Sequence, residues 1–245
     1  MEIIVCKNYE EMSEVAADIM ATVMKENPTC VLGLATGSTP VGMYQQLVEM
    51  NHAGEIDFSQ VTTVNLDEYY PISPDNNQSY RYFMNQNLFD HVNIDKSRTY
   101  VPDGMAEHPE TACLAYEETL ADVGYPDIQV LGIGQNGHIG FNEPADALEV
   151  MTHVTDLTTS TIEANARFFD SIEDVPTKAL TMGIGSIMRA KKIIVLANGE
   201  AKRAAIAKLL TGKLDTSCPV TMLHLHPDVT LICDKAARGP MGFGD

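Results

Sequence analysis

Short β-branched segments alternate with amphipathic helical patterns along nearly the whole chain, and this alternation restricts the fold more than any other feature. The segments that have the pattern of buried strands are 2–6, 30–35, 61–66, 128–134, 192–197 and 229–233. Between them, apolar residues follow helical spacing, as over 200–210. This order predicts a Rossmann-like α/β fold, a single domain over residues 1–245 with a mainly parallel sheet and helices on both faces.

Composition limits the partners of the chain. It has 16 lysines and arginines against 34 aspartates and glutamates, and the net charge of −18 opposes binding to nucleic acid or to anionic membranes. Its apolar runs are short and its N-terminus lacks a basic region before an apolar stretch, so we expect neither a membrane span nor a secretory signal. Five scattered cysteines without a CxxC pair predict reduced thiols and a cytoplasmic location.

Polar sequences follow four of the predicted strands. They are ATGSTP (35–40), DEYY (67–70), QNGHIGFNEP (135–144) and NGEAK (198–202). Open α/β sheets bind ligands at the carboxyl ends of their strands. We therefore expect these four segments to meet at one edge of the sheet and to form a binding site.

The segment 131–144, LGIGQNGHIGFNEP, combines closely spaced glycines with His138 and Glu143. Glycine lets the backbone turn sharply near a ligand, and Pro144 keeps Glu143 in extended backbone. An imidazole and a carboxylate so placed indicate proton transfer, although a tight turn with an incidental histidine has the same pattern. The G-x-G-x-x-G match at 132–137 does not predict a nicotinamide site, because Gly140 and Pro144 oppose the helix that this motif requires.

The segment 35–40 resembles a helix start that binds an anion. Thr39 suits the N-cap and Pro40 the first helical position, which leaves amides and hydroxyls free to bind phosphate. An ordinary capped helix would have the same sequence. Lys202 favours the anion site, because it falls in the first turn of a predicted helix, where the helix dipole disfavours a cation unless an anion lies beside it. Arg167 is a second candidate, and a solvated side chain is the alternative for both.

Asp67 and Glu68 are adjacent carboxylates at the end of the predicted strand 61–66. Successive side chains of an extended chain point to opposite sides, so one carboxylate would face a ligand and the other would face away. The alternative is an aspartate that caps a turn after the strand.

Together these motifs resemble the glucosamine-6-phosphate deaminase family, within the superfamily of sugar-phosphate isomerases and lactonases. The matches occur in order over nearly the whole chain, and NLDEY with GHIxFNEP is specific to the deaminases. The matching segments are GLATGSTP (33–40), VNLDEYY (64–70), SYRYFMNQNLFDHVNI (79–94), LGIGQNGHIGFNEP (131–144), NARFF (165–169), ALTMGIGSIMRAKKIIVLANGEAK (179–202) and LHLHPDVTLICD (223–234).

The resemblance implies conversion of glucosamine 6-phosphate and water to fructose 6-phosphate and ammonia, without a metal or an organic cofactor. Asp67 matches the base that moves a proton between C2 and C1. His138 matches the group that assists ring opening, supported by Glu143, while Asn136 stands where some members have an aspartate beside the histidine. The positions that match the phosphate site are Thr36, Gly37, Ser38, Thr39, Arg167 and Lys202.

The segment after Pro144 lacks the basic residues of the hexameric allosteric members. We therefore expect a monomer or a small homo-oligomer, without strong activation by N-acetylglucosamine 6-phosphate. A 6-phosphogluconolactonase-like hydrolase and a non-enzymatic sugar-phosphate sensor are the alternatives. NLDEYY and Asn142-Glu143-Pro144 argue against the first, and the lack of a basic helix for DNA argues against the second. For His224 and His226 we expect packing or capping roles, because no third metal ligand is evident.

Overall fold

The computed structural model describes residues 1–159, 162–163, 166, 169 and 171–240. Its strands are β1 (Glu2–Cys6), β2 (Val31–Leu34), β3 (Thr62–Asn65), β4 (Asp67–Tyr70), β5 (Thr99–Tyr100), β6 (Ile128–Gly132), β7 (His153–Asp156), β8 (Lys178–Thr181), β9 (Lys192–Ala197) and β10 (Val229–Asp234). Its α-helices are α1 (Tyr9–Glu26), α2 (Val41–His52), α3 (Tyr80–Asn87), α4 (Pro109–Val123), α5 (Ile184–Ile187), α6 (Arg203–Leu209) and α7 (Lys235–Arg238).

Seven strands form the main sheet in the order β1-β10-β9-β6-β2-β3-β5, and every neighbouring pair in it is parallel. The predicted parallel α/β architecture is therefore confirmed, while the single-domain organisation stays a prediction. In β9, residues 193–197 are at most 1% exposed. A strand buried on both faces is expected to be apolar throughout, and each of its large side chains contributes about 1.5–3 kcal/mol by burial.

Local signals explain where the long helices begin and end. The side chain of Asn8 accepts the N–H of Glu11 at 3.0 Å and caps α1. The first position of α4 is Pro109, where the missing N–H costs no hydrogen bond, and this helix ends at Gly124 with a φ of +91°. One face of α1 packs into the core through residues spaced by four, namely Met12, Ala16, Met20 and Met24.

A second sheet contains β4, β8 and β7 in antiparallel pairing. The segment 67–70 therefore forms a strand of its own, whereas the sequence predicts only a polar segment after the strand 61–66. Its pairing with β8 explains the difference, because that partner is more than a hundred residues away in sequence. Leu66 joins the two sheets: its N–H donates to Leu34 of β2 at 3.2 Å, and its carbonyl accepts from Met182, just after β8, at 2.8 Å.

None of the helices in the described part of the chain combines the length and the apolar character that crossing a membrane requires. The five cysteines are buried and unpaired. His224 and His226 lie within and just after a 3₁₀ segment, Pro219–Leu225, and their ring nitrogens contact the carbonyls of Leu209 and Ala190 at 2.6 and 2.7 Å. These contacts agree with the packing role expected of both histidines.

Candidate active site

A cavity of about 260 Å³ opens where β2 and β6 end and β4 begins. All four polar segments singled out in the sequence contribute to its wall. The lining residues are Ala35, Thr36, Gly37, Ser38, Thr39, Leu66, Asp67, Tyr80, Gly132, Ile133, Gly134, His138, Gly140, Phe141 and Lys202. Asp67, His138 and Lys202 thus share one cavity with the loop 35–40, which we call the anion loop.

Two tyrosine hydroxyls fix the backbone of the anion loop. Tyr44, fully buried, donates to the carbonyl of Ala35 at 2.6 Å and accepts the N–H of the same residue at 3.2 Å. Tyr9 donates to the carbonyl of Ser38 at 3.1 Å and accepts the N–H of Gly42 at 2.8 Å. A loop held in this way binds an anion without first losing conformational entropy.

Thr39 does not cap α2, contrary to the prediction. The helix begins one residue later than expected, with Pro40 at the N-cap and no side-chain hydrogen bond to the first turn. The hydroxyl of Thr39 donates instead to Asn198 Oδ1 at 3.1 Å. This bond joins the anion loop to the segment that carries Lys202, a tertiary contact that the local sequence does not reveal.

Lys202 supplies positive charge beside the anion loop. It is half-buried at the end of the 3₁₀ turn Glu200–Lys202, and burial lowers the pKa of its ammonium group. Gly199 leads into this turn with a φ of +83°, and its N–H donates to both carboxylate oxygens of Asp234 at 3.1 Å. Lys202 makes no ion pair within the described residues. A bound anion would therefore compensate its partial desolvation.

Asp67 is a buried carboxyl group directed at the cavity. It is the first residue of β4, and only 6% of it is exposed. Burial, and secondarily the charge of Glu68, raises the pKa of Asp67 to about 8. A carboxylate with such a pKa is a stronger base than an exposed aspartate, which suits it to proton transfer near neutral pH.

Glu68 is buried on the other side of β4 and does not line the cavity. The two neighbouring carboxylates thus face opposite ways, as the alternation of the strand predicts. Glu68 accepts the backbone N–H groups of Tyr69, Tyr80 and Arg81 at 2.9, 2.8 and 2.9 Å. Burial raises the pKa of Glu68 to about 7, although these N–H groups and the Arg81 guanidinium oppose the rise.

Glycines let the loop after β6 fold closely around His138. A Cβ atom at Gly134 would lie 2.4 Å from the imidazole, so the ring rests directly on the glycine backbone. Gly140 has a φ of +56°, and a Cβ atom there would lie 3.6 Å from Asp67 Oδ2. A methyl group at this position would therefore contact the Asp67 carboxylate, and glycine keeps this side of the cavity open.

Glu143 and Asn136 hold the histidine in place. His138 Nδ1 lies 3.1 Å from Glu143 Oε1, an ion-pair distance. Asn136 donates to Glu143 Oε2 at 2.6 Å, and its own side-chain oxygen accepts the backbone N–H of His138 at 3.1 Å. Burial alone would raise the pKa of Glu143, but its contacts with His138 and Asn136 lower it. Asn136 thus orients His138 indirectly, through Glu143 and the backbone.

An aromatic wall of the cavity was missed from the sequence. Tyr80 and Phe141 line it with parallel rings whose centroids lie 6.2 Å apart, and Tyr69 tilts against Tyr80 at 4.7 Å. Ser79, which caps α3 by accepting the N–H of Tyr82, was a signal for a helix start at Tyr80. Nothing local indicates that this helix start faces the anion loop.

The arrangement combines an anion site with groups for proton transfer. The anion loop and Lys202 would fix a phosphorylated substrate at one end, and Asp67 and the pair of His138 and Glu143 would act on the other. Arg167, the other predicted phosphate ligand, lies outside the described residues.

The chain is similar to known proteins over most of its length. Residues 7–232 match the family model described as glucosamine-6-phosphate isomerases/6-phosphogluconolactonase. A glucosamine-6-phosphate deaminase of Clostridium perfringens (strain 13 / Type A) is 61% identical over 97% of this chain and 98% of its own length. One of Thermoanaerobacter pseudethanolicus is 57% identical over 97% of this chain and 94% of its own length.

Solved structures show the same similarity. That of a monomeric glucosamine-6-phosphate deaminase matches with a TM-score of 0.93 at 47% identity, covering 97% of this chain and 98% of the other. A 6-phosphogluconolactonase of Thermotoga maritima matches with a TM-score of 0.76 at 19% identity, covering 96% of this chain and 99% of the other. The second likeness shows a shared fold alone.

Proposed function

Since the chain belongs to the family of glucosamine-6-phosphate isomerases and 6-phosphogluconolactonases, we propose that it converts glucosamine 6-phosphate and water to fructose 6-phosphate and ammonia. The observation that carries this proposal is one cavity that contains the anion loop, Lys202, His138 and the buried base Asp67. An aldose–ketose shift needs a base at C2 of a sugar that is anchored elsewhere. Relatives named as deaminases at 54–61% identity support the same activity.

The phosphate group would bind first, at the edge formed by the anion loop. Its oxygens accept hydrogen bonds from the backbone amides and hydroxyls of this loop, and the ammonium of Lys202 balances their charge. Arg167 is a further proposed ligand. The full set of proposed phosphate ligands is Thr36, Gly37, Ser38, Thr39, Arg167 and Lys202.

His138 would then open the sugar ring. Its imidazole moves the proton of the C1 hydroxyl to the ring oxygen, so that the C1–O bond to the ring breaks and an aldehyde forms. Glu143 stabilises the protonated imidazole during this transfer, and Asn136 holds Glu143 in position. This role accounts for a carboxylate whose pKa is lowered although it is partly buried.

Asp67 would carry the isomerisation. It takes the proton from C2 while solvent protonates the aldehyde oxygen, which gives a cis-enolamine. It then returns its proton to C1, and nitrogen loses a proton to solvent, which gives a ketimine. Water then adds to C2 and ammonia leaves, which yields fructose 6-phosphate. With a pKa of about 8, Asp67 is ionised in about one-tenth of the free enzyme at pH 7. Activity should therefore rise between pH 6 and pH 8 as the base ionises.

The test measures ammonia and fructose 6-phosphate formed from glucosamine 6-phosphate. Asp67→Asn should lower turnover by roughly 10²–10⁴ with little change in KM. Asp57→Asn is the matched control, because Asp57 is exposed and does not line the cavity. Lactone hydrolysis without ammonia release would favour the lactonase alternative, and binding of the sugar phosphate without turnover would favour the sensor.

We also propose that the enzyme is a monomer in the cytoplasm and that N-acetylglucosamine 6-phosphate does not activate it. The monomeric deaminase of similar structure supports the first point. Five buried, unpaired cysteines are compatible with a reducing compartment. A solution mass of one chain and a hyperbolic rate curve unchanged by the acetylated sugar are the expected results. A hexamer with a sigmoidal curve would contradict them.

A further inference from the structure

Glu68 is a buried carboxylate to which the proposed reaction gives no role. Only 2% of it is exposed. Its Oε1 accepts the N–H groups of Tyr69 and Tyr80, and its Oε2 accepts that of Arg81. Three charge-assisted hydrogen bonds from the backbone hold a carboxylate in one orientation, so the elements that supply them are held together as well.

These bonds tie together two elements of the cavity wall. Glu68 follows Asp67 on β4, while Tyr80 and Arg81 are the first two residues of α3. The ring of Tyr80 forms part of the aromatic wall, and Tyr80 lines the same cavity as Thr36 of the anion loop. Glu68 therefore connects the strand of the base to the helix start that borders the phosphate site.

We propose that Glu68 is a positioning residue for Asp67, which fixes β4 to the start of α3 so that the Asp67 carboxylate keeps one direction toward the substrate. This inference rests on the proposed function, because it assumes that Asp67 is the base. Glu68 itself contacts no substrate and acts through the backbone of its neighbours. A displacement of the base by about 1 Å can lower the rate by about 100-fold.

The charge of Glu68 provides a second way to test whether this residue acts on Asp67. The ionisable groups around Asp67 are Glu68 on β4, Tyr80 on α3, Tyr116 on α4, and His138 and Lys202 in the loops of the cavity. Those around Glu68 are Arg81 and, across a small crevice, Asp103. Glu68 adds to the effect of burial in raising the pKa of Asp67, so its neutralisation should lower that pKa.

Two substitutions separate the charge of Glu68 from its geometry. Glu68→Gln keeps the size but removes the charge and turns one acceptor into a donor. We expect kcat to fall by about 10- to 100-fold with KM nearly constant, and the acid limb of the pH profile of kcat to move to lower pH. Glu68→Asp keeps the charge but is too short to reach α3, so kcat should fall while the acid limb stays in place.

Glu117→Gln is the matched control. Glu117 is also buried, and its Oε1 accepts the N–H of Thr152 at 2.7 Å and the hydroxyls of Thr152 and Ser186. It does not line the cavity. In this control the acid limb of the pH profile of kcat should not move. An equal movement in both variants, or none in Glu68→Gln, would overturn the proposal.

A measurement without turnover distinguishes this inference from the proposed function. The carboxyl carbon of Asp67, labelled with ¹³C and assigned by its loss in Asp67→Asn, can be titrated by NMR in the folded protein. A lower pKa in Glu68→Gln supports the link even if the protein releases no ammonia, in which case only the proposed function fails. Ammonia release with an unchanged Asp67 titration would refute the role of Glu68 alone.

Discussion

Asp67→Asn should make the protein more stable while it removes activity. The unfolded chain ionises this aspartate near pH 3.8, but the folded protein keeps the proton until about pH 8. Over this interval the folded state binds more protons than the unfolded state, so wild-type stability falls as the pH rises. The penalty is absent below pH 3.8, grows between the two pKa values, and is constant above pH 8.

The magnitude follows from about 1.4 kcal/mol for each pH unit above 3.8. It amounts to about 2 kcal/mol at pH 5 and about 4 kcal/mol at pH 7. Because Asp67 is buried, solvent screening reduces these values little. Asparagine has no proton to lose, so the variant escapes the penalty, but its amide must find new hydrogen bonds. A net gain of about 2–4 kcal/mol at pH 7 is expected.

Urea denaturation at pH 5, 7 and 9 measures this gain as a difference in the free energy of unfolding. The stabilisation should increase from pH 5 to pH 8 and then stay constant. Asp57→Asn provides a control of opposite sign, since hydrogen bonds from Ser59 and Asn93 lower the pKa of Asp57. That control should lose stability equally at pH 5, 7 and 9, because a lowered pKa makes the deficit vanish only on acidification below about pH 3.8. A gain in Asp67→Asn that is the same at every pH would refute the reasoning.

Three further predictions concern the proposed phosphate site and the loop that carries His138. Lys202→Ala should raise KM about tenfold or more with little loss of kcat. Lys213→Ala, at an exposed position, should change neither. Equal KM values for Lys202→Ala and the wild type in initial-rate assays would show that Lys202 is only solvated. Gly134→Ala should lower kcat about 100-fold, because the added methyl group displaces the imidazole, and a crystal structure with an unmoved ring would contradict this. Glu143→Gln should lower kcat by roughly 10²-fold in the ammonia assay through loss of the charge opposite His138, and an unchanged kcat would remove Glu143 from ring opening.

The parallel core was predictable because its signal is local. The predicted strand 192–197 coincides with β9. A short run of β-branched and other apolar residues bounded by polar ones is typical of a buried strand. The polar segments after the strands also fell where expected, because parallel strands all present their carboxyl ends at one edge. The position of each segment directly after a strand was therefore enough to predict that Asp67, His138 and Lys202 lie close together.

The features missed from the sequence depend on distant partners. Asp67–Tyr70 forms a strand only through its pairing with β8, and Thr39 leaves the N-cap to bind Asn198. Tyr80 lines the cavity at the start of α3, where its N–H donates to Glu68. In each case the deciding contact joins residues separated by twelve or more positions, which periodicity and capping patterns do not detect.

Leu66 connects the main parallel sheet to the small antiparallel sheet through its backbone. Its two backbone groups are bonded to different sheets, and Asp67 is the next residue. The proposed base is thus carried by the small antiparallel sheet, whereas the anion loop extends from the large parallel one. A sliding movement of one sheet against the other would change the distance from the Asp67 carboxylate to the anion loop. If the proposed roles hold, the rigidity of the junction at Leu66 would therefore determine how accurately the sugar phosphate is aligned with its base, although Leu66 itself would take no part in the reaction.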